Sequence, residues 1–212
     1  MSQMKALRFF SLCLTVFILA SCDAGAMSQN SGNRLEVPFG RLTRLPSPDG
    51  RYVLIGASKR TSRPSQKCPK CFDISSSLWL EDRPSHTRKL LLNIGSTASS
   101  GWSPDGSAFF VEDHEGSNLT DAYIYETANA NKLDIMDRVL AADPGATRLV
   151  EGHRYFNVDR WQDNDNLLIR FVGHTDESPF TCFRIRYLVS RTGEVKRLSQ
   201  RTGPPDAAWC HY

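Results

Sequence analysis

One turn is written twice in this chain, each time as the entrance to the same kind of strand. Ser47-Pro48-Asp49-Gly50 runs into Arg51-Tyr52-Val53-Leu54-Ile55, and 56 residues later Trp102-Ser103-Pro104-Asp105-Gly106 runs into Ser107-Ala108-Phe109-Phe110-Val111. Pro at the second position presets φ, Asp suits the third, and Gly takes the positive φ that closes the turn, so two strands are joined tightly. A degenerate third copy starts at Trp161, where Gln162-Asp163-Asn164-Asp165-Asn166 stands for the turn and Leu167–Val172 for the strand. A third strand follows in each copy (Ser77–Leu80, Ala122–Tyr125, Phe183–Leu188), and a basic-apolar strand ends it (Lys89–Leu91, Lys132–Leu133, Lys196–Leu198). Each copy is therefore predicted to be a four-stranded antiparallel meander.

This order of aromatic-Ser-Pro-Asp-Gly, strand, loop, Ile-Tyr strand and closing strand resembles the WD40-like repeat of the TolB propeller and of prolyl-oligopeptidase-type propeller domains. The resemblance is strongest over 97–135, weaker over 41–94 and weakest over 154–199. It implies an all-β, propeller-like array of about three four-stranded antiparallel blades at 41–94, 97–135 and 154–199, within a domain spanning 37–212 that ends in a tail, 200–212. Such blades serve binding, scaffolding and substrate gating alike, so the motif speaks to fold and not to activity. Closed propellers usually have about 4–8 blades. Three units therefore form an open, twisted fan, or a fourth blade, a partner or a second copy in a homo-oligomer completes the array. Between blades two and three, Ile135, Met136, Val139 and Leu140 fall at helical spacing before Pro144-Gly145, which predicts a short helical insertion.

The N-terminus sets the compartment. Lys5 and Arg8 precede an apolar run, Phe9–Ala20, well short of the roughly 20 residues a spanning helix needs. The run reads as a signal peptide over 1–21, and Leu19-Ala20-Ser21-Cys22 looks like a lipobox, which implies cleavage before Cys22 and a lipid on its thiol. Asp23 resembles an inner-membrane retention signal. Residues 22–36 read as the lipidated cysteine and a flexible, small and polar tether. Loss of the signal lowers the net charge from +3 to +1, and this near-neutral, mixed-sign surface argues against nucleic acid as a partner.

Lipidation of Cys22 leaves Cys68, Cys71, Cys182 and Cys210, an even number in an oxidising compartment. Four cysteines allow three pairings. The favoured one clips Cys68 to Cys71 locally and staples the tail to blade three through Cys182–Cys210. Cys68-Pro69-Lys70-Cys71 also has thioredoxin-like spacing, but it sits in a Ser/Arg/Lys/Pro-rich hairpin loop and not at a helix N-terminus. With no second pair beside it, structural zinc is not expected.

Hydrolytic and metal motifs are incomplete. Gly101-Trp102-Ser103-Pro104-Asp105 has Asp where a nucleophile elbow needs Gly, and His114-Glu115 lacks the second histidine of a zincin. Asp163, Asp165 and Glu177 do not have EF-hand spacing and read as solvated turn acids. No catalytic residue, metal or cofactor is therefore assigned. What remains is a set of equivalent connections, 58–76, 112–120 and 173–181, which a propeller-like arrangement would bring to one face. Two carry similar chemistry, and His114, Glu115, His174 and Asp176 are the candidate partner-binding residues.

The resulting expectation is a non-catalytic, periplasm-facing lipoprotein that binds a protein of the cell envelope, as an assembly factor or as an inhibitor or immunity protein. The alternative is an accessory to an envelope enzyme, or a thiol–disulfide protein using Cys68 and Cys71.

Overall fold

The two Ser-Pro-Asp-Gly turns close as superimposable hydrogen-bond networks. Gly50 N donates to Ser47 O at 2.8 Å and Gly106 N to Ser103 O at 2.9 Å. Both glycines sit at φ 71°, in the left-handed region that an L side chain enters at a cost. The Ser47 hydroxyl accepts from Tyr52 N at 2.9 Å, and that of Ser103 accepts from Ala108 N at 3.0 Å. Each serine also donates to the aspartate two residues on. The Ser47 hydroxyl and the Arg51 N–H together hold the Asp49 carboxyl below its ordinary pKa.

The computed structural model describes residues 34–37, 42–61, 73–116, 118–149, 153–178 and 180–210. The first meander is β2 (Leu42–Pro46), β3 (Tyr52–Thr61), β4 (Asp73–Asp82) and β5 (Thr87–Ile94). The second is β6 (Thr97–Trp102), β7 (Ala108–His114), β8 (Leu119–Glu126) and β9 (Lys132–Asp134). The third is β10 (His153–Trp161), β11 (Asn166–His174), β12 (Cys182–Ser190) and β13 (Val195–Gly203). Within each meander every pairing is antiparallel, so the array is all-β with three four-stranded units. The helix α1 (Ile135–Ala142), capped by Asp134 accepting from Asp137 N, and a 3-10 turn, Pro144–Leu149, lie between the second and third units. No helix among the described residues is long and apolar enough to cross a membrane.

Two expectations need correction. Arg34–Val37, placed above largely in the flexible tether, is a strand, β1, paired antiparallel to β6. The reason is alternation: Leu35 and Val37 point into the core at 3% and 2% exposure, and Arg34 on the opposite face finds a buried carboxylate. The connections at 112–120 and 173–181 are also shorter than expected. The strand β7 runs on through Glu112, Asp113 and His114, and β11 through Gly173 and His174, leaving loops of only 115–118 and 175–181. At Gly173 a Cβ would lie 1.9 Å from His153 O, so only glycine lets β10 and β11 stay this close.

Consecutive units pack face to face through two apolar clusters. Leu54, Leu78, Leu80 and Ile94 of the first unit meet Trp102, Phe109, Val111, Tyr123 and Tyr125 of the second. The opposite face of the second unit, with Phe110, Ala122 and Ile124, meets Phe156, Ile169, Phe171, Phe183, Ile185 and Tyr187 of the third, and Ile135 and Val139 of α1 join this cluster. Each fully buried large side chain here contributes roughly 1.5–3 kcal/mol. No such cluster joins the first unit to the third among the described residues.

The repeated tryptophan has a mechanical role. Trp102 Nε1 donates to Leu45 O at 3.0 Å, and Trp161 Nε1 donates to Gly101 O at 3.1 Å. Leu45 and Gly101 are equivalent positions, each one residue before the end of its unit's first strand, so each tryptophan fastens its unit to the one before it. Units two and three are further joined by a short parallel pairing, Leu119 with Arg154 and Thr120 with Tyr155. Beyond it β10 crosses unit two obliquely. Arg34 Nη1 donates to Val158 O at 3.2 Å, and Val158 N donates to Glu112 Oε2 at 3.3 Å. Glu112, 3% exposed, also pairs with the Arg34 guanidinium and accepts from Ser99.

The turns of adjacent units touch. A Cβ on Gly106 would lie 3.0 Å from Pro48 Cδ, while one on Gly50 would meet open space. Gly50→Ala is expected to cost about 1 kcal/mol from backbone strain alone, and Gly106→Ala about 2 kcal/mol, because the methyl also pushes the first turn away. Urea unfolding of the two variants checks this order.

Candidate functional site

The short parallel pairing creates a continuous surface across units two and three. Side chains of directly opposed residues share a face, so the register places His114 and Thr120 beside Tyr155, and Tyr155 beside Val172 and Arg184. Asn157 and Arg170 continue the row. Together with Gly116 these side chains line a cavity of about 340 Å³, at the end of the sheet where loops 115–118 and 175–181 emerge.

Of the four residues singled out in the sequence, the structure brings two into ordered positions here. His114 is half-buried at the end of β7, its Nδ1 2.9 Å from Thr120 Oγ1 and its Nε2 3.7 Å from Glu112 Oε1. His174 ends β11; its Nδ1 lies 3.1 Å from Thr175 O, and its Nε2 is in hydrogen-bond contact with Nδ1 of the cross-strand His153. The two imidazoles meet edge to face with centroids 4.3 Å apart, and Phe180 packs on His174 at 4.8 Å. Glu115 and Asp176 are exposed in the two loops at this same end. Cys22, the expected lipidation residue, and the Cys68/Cys71 pair lie outside the described residues.

Cys182 and Cys210 are bonded, with Cα atoms 5.7 Å apart and a sequence separation of 28. This staple brings the tail back over unit three. Gly203 ends β13 against Trp209, and the Trp209 carbonyl accepts from Arg184 Nη2 at 2.8 Å while its ring lies 6.0 Å from the same guanidinium. The disulfide therefore orients an arginine that lines the cavity.

Sequence reasoning missed Arg170, Arg184, Tyr155 and Asn157. The signal was present: Arg170 interrupts an otherwise apolar run, Leu167–Val172, and Arg184 and Arg186 alternate with buried Phe183, Ile185 and Tyr187. Across one face of unit three Arg170 stands opposite Arg186, and Arg184 opposite Arg201. Asp159 pairs with both Arg170 and Arg186. Arg184 has no carboxylate partner among the described residues, and its buried Nε has no acceptor.

The other face of β7 and β8 carries a second electrostatic anomaly. Asp113 and Asp121 are directly opposed, 3% and 9% exposed, and an oxygen of each lacks a hydrogen-bond partner. Burial, with the charges of Glu115 and Asp121 nearby, pushes the Asp113 carboxyl up to about 6. Burial also raises Asp121, against the opposing pull of Arg154. No group of three or more His, Cys, Asp or Glu side chains among the described residues is placed to hold a metal ion. Asp163 is a turn acid, accepting from the N–H groups of Asp165 and Asn166 at 2.8 Å.

No known protein family and no curated protein matches the chain. Solved structures show partial likeness. An acylaminoacyl peptidase of Pyrococcus horikoshii is 12% identical over 80% of this chain and 26% of its own, with a TM-score of 0.46. The β-propeller domain of the Trilobed protease from Pyrococcus furiosus is 13% identical over 80% of this chain and 44% of its own, at 0.45. TolB from Acinetobacter baumannii is 16% identical over 78% of this chain and 43% of its own, at 0.32. The chain thus spans less than half the length of each. At these scores the architecture rests on the chain's own strand order and the function on its own residues.

The raised carboxyl of Asp113 makes stability fall as pH rises. Its folded-state pKa of about 6 exceeds the unfolded value of about 3.9, so between those limits the native state holds the extra proton. Above pH 6 the fold carries a buried charge that the unfolded chain leaves in water. Asp113→Asn is therefore expected to be more stable than the parent by about 2 kcal/mol at pH 7.5 and equal to it below pH 4. Urea midpoints at the two pH values measure the difference.

Proposed function

We propose that this chain is a non-catalytic lipoprotein that faces the periplasm from a lipid on Cys22 and binds a protein partner of the cell envelope. The role is that of an assembly factor or of an inhibitor or immunity protein. The observation that carries the reading is the shared sheet end: a two-residue parallel pairing sets loops 115–118 and 175–181 side by side on a rigid base. Binding residues are commonly displayed this way, on short loops held by an ordered scaffold. The display also has the composition of a contact surface. Phe180 is 38% exposed beside His174, among exposed Glu115, Asp176 and Glu177, and an aromatic anchor within a polar rim is a common form of binding hot spot.

The anchor and the face are separately testable. Cys22→Ser moves the protein from the detergent phase to the aqueous phase on Triton X-114 partition, because several acyl chains hold a protein where none does not. Affinity capture from detergent extracts names the partner. His114→Ala with Phe180→Ala is expected to weaken retention of that partner by about tenfold, while Arg83→Ala, in the remote β4–β5 turn, leaves it unchanged. Retention unaffected by the paired change would show that this end of the sheet is not the binding face.

A further inference from the structure

Like charges directly opposed across a sheet destabilise it, yet unit three carries two such pairs on one face, Arg170 with Arg186 and Arg184 with Arg201. A single carboxylate, Asp159, serves the first pair, and neither member of the second has an ion-pair partner among the described residues. Arg184 is held in place all the same. Its Nη2 donates to the Trp209 carbonyl, which the Cys182–Cys210 bond fixes, and its Nε–H is buried with no acceptor. The structure thus fixes a guanidinium at a cavity wall and leaves both its charge and one of its donors unmet.

The cavity has the size and lining of a site for an anionic group. Its roughly 340 Å³ falls within the range of small-ligand clefts. Arg184 and Arg170 supply charge, Tyr155, Asn157, Thr120 and His114 supply hydrogen-bonding groups, and Val172 contributes an apolar patch.

We infer that this cavity binds a carboxylate presented by an acidic segment of the protein partner, with Arg184 as its principal counter-charge. The Arg184 guanidinium lines the cavity with no counter-charge among the described residues, and such a group matches a carboxylate through charge-assisted hydrogen bonds. The cavity opens beside loops 115–118 and 175–181, so a partner seated on those loops can reach it. The inference rests on the protein-binding reading, but its test does not need the partner.

The full chain in detergent micelles, labelled with 15N at arginine, is titrated with the peptide acetyl-Gly-Glu-Asp-Glu-Gly-amide and with its Gln/Asn counterpart. The acidic peptide is expected to shift the Arg184 Nε–Hε resonance saturably and to bind at least about tenfold more tightly than the neutral one. Affinity should fall as salt rises. Arg184→Gln removes the preference. Arg197→Gln deletes a charge from the same unit at a site where the guanidinium pairs with Asp143, and it keeps the preference. Asn157→Asp, which leaves Arg184 in place, abolishes binding by repulsion, so the outcome does not hang on one variant folding. Equal binding of the two peptides, or equal loss with Arg184→Gln and Arg197→Gln, overturns the inference. So does a response confined to inorganic phosphate or to phosphatidylglycerol vesicles, which would assign the cavity to a phosphate or a lipid headgroup. In each of those cases partner capture through the loops stands or falls by its own experiment.

Discussion

Glu112 is the residue on which the relation between units two and three depends. Its carboxylate sits 3% exposed where three strands converge, and it takes Arg34 from β1, Ser99 from β6 and the Val158 N–H from β10. Only the carboxylate of the Arg34–Glu112 pair is buried, so losing Arg34 would leave that desolvated charge without its counter-ion. The parallel ladder between β8 and β10 is only two residues long, too little to set an angle between sheets. The Arg34–Glu112 pair holds β10 at Val158 where that ladder has ended, and the Trp161 indole holds it again at Gly101. Three attachments along one strand fix how unit three lies over unit two, and hence the shape of the cavity at the far end.

The repeat acts through two devices of different range. The Ser-Pro-Asp-Gly turn is local: its serine, aspartate and glycine satisfy one another within six residues, so it needs no neighbour to form. The tryptophan is not local, since it donates to a backbone carbonyl of the preceding unit. A chain built this way assembles each meander from short-range contacts and then stacks it on the one before. The stack leaves the outer side of unit three without a following unit among the described residues, and there the alternation of β11 and β12 turns arginines outward while Phe171, Phe183, Ile185 and Tyr187 fill the core.

Two groups of residues work against the stability of this arrangement. Asp113 and Asp121 oppose each other in a buried pair of strands, and Arg184 opposes Arg201 on an open face. Most of a folded sequence agrees with its structure at every level, and places where it does not tend to carry function. The two anomalies flank the same end of the joined sheet, one on each side of β7 and β8 and their continuation in β10.

How much of this could be read from residues alone follows from the range of each interaction. The meanders, the helical insertion and the stapled tail were legible because turn chemistry, strand alternation and helical spacing act over a few residues, and Cys182 and Cys210 enclose a single hairpin and its tail. The role of Arg34 was not legible, since nothing in a small polar N-terminal stretch announces a partner 78 residues away. Glu112 and Asp113 looked like loop acids for the same reason. The site was half legible: His114 and His174 stood out as similar loop entrances, whereas Arg170, Arg184, Tyr155 and Asn157 share a surface only because β8 and β10 pair in parallel. The sequence by itself determined the units and their turns, which are short-range hydrogen bonding and periodicity. Only the tertiary structure decided which faces meet and which charges are left facing solvent, because those outcomes belong to packing between strands far apart in the chain.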